Sequence, residues 1–168
     1  MRILVIDDSP VHLRAAEAQL ADHDLTVVES YAKALEALGV RPSGEVFENH
    51  SFDVVLVDLL IPASRYGLTP EAAMDFAGKE MPIGIFLALL AAKHGARYVA
   101  VHTDSDHHSH PASTCFDALN PPRDGWVGER RPTSFTVEGA RVLLSNNREW
   151  IGGGGKRWDL LLEYLLKE

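Results

Sequence analysis

The chain has 168 residues, of which 46% are hydrophobic and 24% are charged, and its formal net charge is −8. This composition excludes a disordered chain, and the length is most simply that of one domain covering residues 1–168. Because phosphate binding needs clustered Lys and Arg and the basic residues here are scattered, we expect no nucleic-acid partner.

Compartment and membrane contact follow from the apolar stretches. The longest of them, around Ile83 to Ala92, is too short to span a bilayer. The amino terminus has the pattern of a strand rather than of a signal peptide. The single cysteine, Cys115, excludes an internal disulfide. We therefore expect a cytoplasmic protein with no membrane contact.

Short apolar runs alternate with helical patterns along the chain. Sequential units of this kind, joined by right-handed crossovers, predict an α/β fold with a five-stranded, doubly wound parallel sheet. The predicted strands are residues 2–6, 25–28, 52–58, 97–103 and 141–145. The predicted helices begin at Pro10 and then cover residues 32–38, 83–94, 112–119 and 158–166.

The third strand delivers a carboxylate to the edge of the predicted sheet. Val54 to Val57 are consecutive apolar residues, a pattern typical of a strand covered on both faces, and Asp58 follows them. Ligands of open α/β sheets bind at the carboxyl ends of the strands, so Asp58 lies where such sheets do chemistry. A turn or helix-cap role is the alternative for Asp58.

Two segments interrupt the alternation. Residues 63–82 are rich in Pro and Gly and predict a long loop with a short helical turn at residues 70–76, a candidate lid over the functional edge. Residues 120–136 predict a second insertion, although Phe135 to Val137 could pair with the fifth strand as a hairpin. Gly152 to Gly155 has the composition of a flexible linker and lacks the spacing of a phosphate loop.

Two acidic motifs carry a resemblance to a known family. The first strand ends in Asp7-Asp8-Ser9-Pro10, and Asp58 is followed by Leu59-Leu60-Ile61-Pro62. Together with the fourth strand, which ends in Thr103, these motifs resemble the receiver domains of two-component response regulators. The resemblance covers most of the chain in order, outside the two insertions, and implies a flavodoxin-like fold.

The resemblance also implies a site. Asp58 would accept a phosphoryl group from a histidine kinase or a phosphotransfer protein, and Thr103 would be the switch hydroxyl. Mg²⁺, which prefers oxygen ligands, would be bound by Asp8, Asp58 and the backbone carbonyl of Leu60, with Asp7 acting through water. The metal would also relieve the repulsion between three neighbouring carboxylates. Such a protein is a phosphoacceptor that can release its own phosphoryl group, rather than a conventional enzyme.

One element of the receiver pattern is missing. Receivers carry a Lys just after the fifth strand, where this chain has Asn146 and Asn147. An Asn donates a hydrogen bond but carries no charge. Arg148 and Lys156 are the nearest cations that follow, and the sequence assigns neither of them to the site.

A histidine-rich segment follows the fourth strand. It contains His102, Asp104, Asp106, His107, His108 and His110, with Cys115 nearby. Imidazole, carboxylate and thiolate groups are zinc ligands, but the spacing matches no established zinc motif. A solvated loop that leads into the next helix is the favoured interpretation. Contact with the phosphorylation pocket is a further alternative.

Three functions remain open from the sequence. The first is a stand-alone response regulator that signals through contacts with a protein target. The second is an atypical receiver that acts as a phosphorylation-independent interaction module. The third, and the least favoured, is a metal-dependent hydrolase that uses the same carboxylates and the histidines.

Overall fold

The computed structural model describes residues 1–47, 51–66, 68–106, 108–119, 132–146 and 148–167. It is an α/β fold built on one mostly parallel sheet of six strands. These strands are β1 (Arg2–Ile6), β2 (Asp24–Val28), β3 (Val54–Asp58), β6 (Tyr98–His102), β7 (Thr133–Val137) and β8 (Ala140–Ser145). Their order in the sheet is β2-β1-β3-β6-β8-β7. The remaining strands are two short pairs, β4 (Ile61–Pro62) with β5 (Glu80–Met81), and β9 (Ile151–Gly152) with β10 (Gly155–Lys156).

Helices cover both faces of the sheet. They are α1 (Pro10–Gln19), α2 (Tyr31–Ala37), α3 (Pro70–Phe76), α4 (Ile83–Lys93), α5 (Pro111–Leu119) and α6 (Trp158–Leu166), with a 3₁₀ turn at Arg148–Trp150. Alternate residues of each strand face opposite sides, which creates two apolar cores. One core packs against α1 and α6. The other packs against α2, α4 and α5.

The parallel part of the sheet agrees with the sequence prediction. All five predicted strands form, and all five residues of β3 are buried, as a central parallel strand requires. The order of these strands, with β6 and β8 as fourth and fifth, is compatible with a flavodoxin-like fold. No helix in the described ranges is long and apolar enough to cross a membrane.

The sheet has six strands rather than the five predicted. The additional strand, β7, pairs antiparallel with β8 through a tight turn at Glu138 and Gly139, both with positive φ. Residues 133–136 therefore belong to the sheet and not to an insertion. Residues 120–131 of that predicted insertion lie outside the described residues.

The first insertion has more regular structure than the predicted loop. Strands β4 and β5 pair antiparallel and close its base, and the predicted helical turn is α3, with Thr69 as its N-cap. Tyr66, Leu68 and Phe76 line an apolar groove against Tyr31 of α2. Glu80 is the residue of this insertion that lines the acidic cleft at the sheet edge. Among the described residues of the insertion, Glu80 thus lines the cleft, whereas Tyr66, Leu68 and Phe76 line a separate groove.

Candidate functional site

Four strands bring polar residues to one edge of the sheet. Asp7 follows β1, Asp58 ends β3, Thr103 follows β6 and Asn146 follows β8. The strands are parallel, so their carboxyl ends meet, as the sequence predicted. A cleft of about 520 Å³ opens there, lined by Asp7, Asp8, Ser9, His12, Asp58, Leu60, Glu80, Thr103, Asp104, Ser105, Asp106 and Ser109.

A buried lysine neutralises the two central carboxylates. The ammonium of Lys156 lies 2.5 Å from Asp58 Oδ1 and 2.7 Å from Asp7 Oδ2. The Lys156 side chain has no exposed surface, and Asp7 and Asp58 are themselves buried. Because an isolated charge is costly to bury, this cluster is stable only as a set of paired charges.

The remaining oxygens of these carboxylates accept backbone hydrogen bonds. Asp58 Oδ2 accepts from the Leu60 N–H at 3.0 Å, and Asp7 Oδ1 accepts from the Ser9 N–H at 2.9 Å. Each carboxylate is thus fixed by the loop that follows its own strand. A side chain on Gly84, at the start of α4, would collide with the Asp58 carbonyl, since an added Cβ would lie 1.9 Å from that oxygen. Close packing of α4 therefore fixes the Asp58 backbone.

The ionisation of these groups reflects burial as well as charge. Burial, together with repulsion from Asp7, raises the pKa of Asp58 to about 6 despite the attraction of Lys156. Burial acts to lower the pKa of Lys156, but attraction from Asp58, Asp7 and Asp104 outweighs it and raises that pKa above its usual value. Partial burial and the charge of Asp7 raise the pKa of Asp8. Lys156 is therefore the permanent cation of the cluster.

The hairpin of β9 and β10 delivers Lys156. A linker was the wrong prediction for Gly152 to Gly155, because Gly152 ends β9, Gly153 and Gly154 form the turn, and Gly155 begins β10. Gly155 has a φ of +111°, and an added Cβ would lie 3.1 Å from both His12 Nδ1 and the Val11 carbonyl. A residue without a side chain lets the hairpin lie directly against α1.

Asn146 does not replace the missing lysine. Its side-chain amide donates to Asp117 of α5, and its carbonyl oxygen has no hydrogen-bond partner in the part of the chain that the structure describes. Asn147 lies outside the described residues. Arg148 is largely exposed and pairs with Asp106 at the rim of the cleft. Sequence reasoning identified the gap and named Lys156, but it could not place Lys156 in the site.

Thr103 and Asp104 follow β6, the strand beside β3, and line the same cleft as Asp58. Thr103 is buried, its N–H donates to the Ser145 carbonyl at 3.1 Å, and its Oγ1 accepts from the Ser105 N–H at 3.1 Å. Asp104 Oδ2 lies 3.1 Å from His12 Nε2. That hydrogen bond holds the pKa of the Asp104 carboxyl well below its usual range. His12 was not identified as a site residue from the sequence, since a lone His on a helix carries no motif.

The described histidines of the histidine-rich segment are divided between the protein core and a surface pocket lined by His108, His110 and Cys115. His102 is fully buried beside Trp150 and Trp158, and its Nδ1 donates to the Ser145 carbonyl at 3.2 Å. Burial lowers the pKa of His102 to about 3, so the ring is neutral. His110 caps α5 by accepting from the Ala112 N–H. His107 lies outside the described residues.

Metal ligation stays a prediction. Among the described residues, no group of three or more His, Cys, Asp or Glu side chains is arranged to hold a metal ion. The predicted ligands Asp7, Asp8, Asp58 and Leu60 nevertheless line the same cleft. Lys156 contacts Asp7 and Asp58 from the buried side of the site.

The chain matches no family model, no curated protein and no solved structure.

Proposed function

We propose that this protein is a receiver-like response regulator with a flavodoxin-like fold, in which Asp58 accepts a phosphoryl group. The observation that carries the proposal is the ion-paired cluster of Asp58, Asp7 and Lys156 at the carboxyl edge of the sheet. It supplies an acceptor carboxylate and a fixed cation that can stabilise negative charge on the transferred group.

In the proposed reaction an oxygen of Asp58 attacks the phosphorus of a phosphohistidine on a kinase or phosphotransfer protein. The P–N bond breaks, the imidazole leaves with the bonding electron pair, and an acyl phosphate forms on Asp58. Lys156 already lies 2.5 Å from Asp58 Oδ1, so its ammonium can stabilise the negative charge that develops on the phosphoryl oxygens. Thr103 would then hydrogen bond to a phosphoryl oxygen and change the conformation of its loop.

The donor atoms of the cleft fit Mg²⁺, since Asp7, Asp8, Asp58 and the Leu60 carbonyl offer only oxygen. When bound, Mg²⁺ would neutralise the charge that gathers on the phosphoryl group. Six carboxylates line the cleft, those of Asp7, Asp8, Asp58, Glu80, Asp104 and Asp106. An anionic donor is repelled from such a surface unless a cation is present. A protein target and a cytoplasmic location are part of the same proposal.

Phosphorylation is tested by incubating the protein with Mg²⁺ and acetyl phosphate and measuring its intact mass. We expect one phosphoryl group to be added, and we expect Asp58→Asn to abolish the addition. Asp53→Asn is the matched control, because Asp53 lies at the opposite end of the same strand and bonds to the Arg2 N–H. It should be phosphorylated like the parent.

Failure of the parent to gain mass with acetyl phosphate and Mg²⁺ would refute phosphoryl acceptance. The cleft would then be better explained by an interaction module that works without phosphorylation. Steady hydrolysis of a generic phosphate ester, lost in Asp58→Ala, would instead identify a hydrolase.

A further inference from the structure

The ring of His12, which lines the cleft, contacts two separate segments of the chain. On one side the backbone N–H of Lys156 donates to His12 Nδ1 at 3.2 Å. On the other side His12 Nε2 lies 3.1 Å from Asp104 Oδ2. Asp104 directly follows Thr103, so a single side chain connects the hairpin that carries Lys156 to the loop that carries the proposed switch hydroxyl.

These two contacts determine the tautomer of His12. A backbone N–H can only donate, so Nδ1 must be the unprotonated nitrogen that accepts. The proton of the neutral ring is then on Nε2, where it donates to the Asp104 carboxylate. Both ring nitrogens are used, and 12% of the side chain is exposed. Both nitrogens of the His12 ring thus contact protein groups, and no lone pair remains for a substrate.

The backbone of Lys156 is held from both directions by α1. His12 accepts from its N–H, and Gln19, on the same helix, donates to its carbonyl oxygen at 3.1 Å. The carbonyl of His12 also accepts from Trp158 Nε1 at 2.9 Å, at the start of α6. The main chain of Lys156 therefore has a defined position relative to α1, although its own strand has only two residues.

We propose that His12 is a positioning residue for Lys156. Its neutral ring holds the Lys156 main chain through Nδ1 and fixes the Asp104 loop through Nε2, so that the ammonium stays between Asp58 and Asp7. The effect on phosphoryl acceptance rests on the proposed function, whereas the effect on the position of Lys156 does not.

Three substitutions separate the two contacts. In His12→Asn the side-chain amide replaces Nδ1, so it can accept from the Lys156 N–H but cannot reach Asp104. In His12→Gln the amide replaces Nε2, so it keeps the Asp104 contact and loses the one to Lys156. His12→Ala loses both contacts. His23→Ala, in the turn after α1, is a control for the loss of a histidine elsewhere on the surface.

Two properties are measured in every variant. The first is exchange of the Lys156 backbone amide proton with water, followed by NMR. The second is the initial rate of phosphoryl acceptance from acetyl phosphate with Mg²⁺. In His12→Ala and His12→Gln we expect exchange about tenfold faster and acceptance about tenfold slower, the change expected for one lost hydrogen bond. His12→Asn should restore most of both, and the control should match the parent.

Equal effects of the Asn and Gln substitutions, or unchanged amide exchange in His12→Ala, would overturn the positioning role. A merely structural role would follow overall stability, measured by urea unfolding, and not the Asn-versus-Gln difference. If amide exchange responds as expected but the parent accepts no phosphoryl group, the positioning role stands and the proposed function fails.

Discussion

At the scale of single residues, the site depends on Lys156 as the counterion of two buried carboxylates. Its ammonium also lies 5.3 Å from the centre of the Trp158 ring, within the range of a cation–π contact. A buried ion pair adds little net stability compared with an apolar pair, but removal of one partner leaves an uncompensated charge. Substitution of Lys156 alone should therefore lower the free energy of unfolding by an amount that depends on pH.

We expect Lys156→Met to lower the free energy of unfolding by about 3 kcal/mol at pH 8, the cost of breaking a buried ion pair. The loss should shrink at pH 5. The pKa of Asp58 is already raised to about 6, and without Lys156 its carboxyl takes up a proton still more readily, which removes the buried charge. Urea unfolding at both pH values, without added metal, measures the difference.

Lys167→Met is the control, because Lys167 forms an exposed pair with Glu163 at the end of the chain. Its effect should stay within about 0.5 kcal/mol at both pH values. An equally large loss for Lys156→Met at pH 8 and pH 5 would mean that the uncompensated charge of Asp58 is not the cause.

The acidic residues of the site and its threonine could be predicted from the sequence. The cation and the histidine of the site could not. Asp7, Asp58 and Thr103 each directly follow or end a buried strand, so their place at the sheet edge follows from strand periodicity alone. Lys156 reaches the site through a hairpin, and His12 reaches it from a helix. Their positions depend on tertiary packing, which leaves no local pattern.

At the scale of elements, the same distinction separates the main sheet from the β9–β10 hairpin. The long apolar runs predict the parallel strands, and those strands are present. A run of four glycines has no side chains whose pattern could predict a strand, so it resembled a linker. The hairpin is stabilised by its contacts with α1, and no local sequence pattern predicts those contacts.

Gly155→Ala should therefore disturb the site, while Gly153→Ala should not. At Gly155 the φ of +111° disfavours any side chain, and the added Cβ would press on His12 and on the Val11 carbonyl. We expect a loss of about 1–3 kcal/mol in unfolding free energy. Nothing lies within 4 Å of a Cβ added to Gly153, so that variant is the matched control.

The Lys156 backbone amide provides the second measurement for this pair. Its exchange with water should be faster in Gly155→Ala than in the parent, because the hairpin is displaced from α1. It should be unchanged in Gly153→Ala. Equal stability and equal exchange in the two variants would show that the hairpin does not depend on close contact with the helix.

At the scale of the whole molecule, two buried groups give opposite contributions to the dependence of stability on pH. The folded-state pKa of His102 is about 3 against an ordinary 6.5, so between these values the unfolded chain binds more protons and acid destabilises the fold. The folded-state pKa of Asp58 is about 6 against an ordinary 3.8, so in that window the folded chain binds more protons and acid stabilises it. Without metal, the two contributions oppose each other between about pH 6 and pH 4.

Single substitutions should reveal each contribution in turn. In Asp58→Asn only the His102 contribution remains, and stability should fall on acidification from pH 6.5, by up to about 1.4 kcal/mol per pH unit. In His102→Asn the new amide can still donate to the Ser145 carbonyl, and only the Asp58 contribution remains. Stability relative to the parent should then rise from pH 6 towards pH 4.

Urea unfolding of the three proteins at several pH values, in the presence of a chelator, gives these curves. Groups far from the site contribute equally to all three proteins, whereas Asp7 and Lys156 interact with Asp58. The comparison therefore uses the direction and the pH range of each departure from the parent, and not its size. Below about pH 3.8 the stabilising contribution of Asp58 is complete. The pKa values of His102 and Asp104 are lowered in the folded chain, so the unfolded chain still binds more protons at these two groups. The parent should therefore lose stability there. Parallel curves for the two variants would contradict the assignment, because they would mean that neither buried group exchanges protons differently on folding.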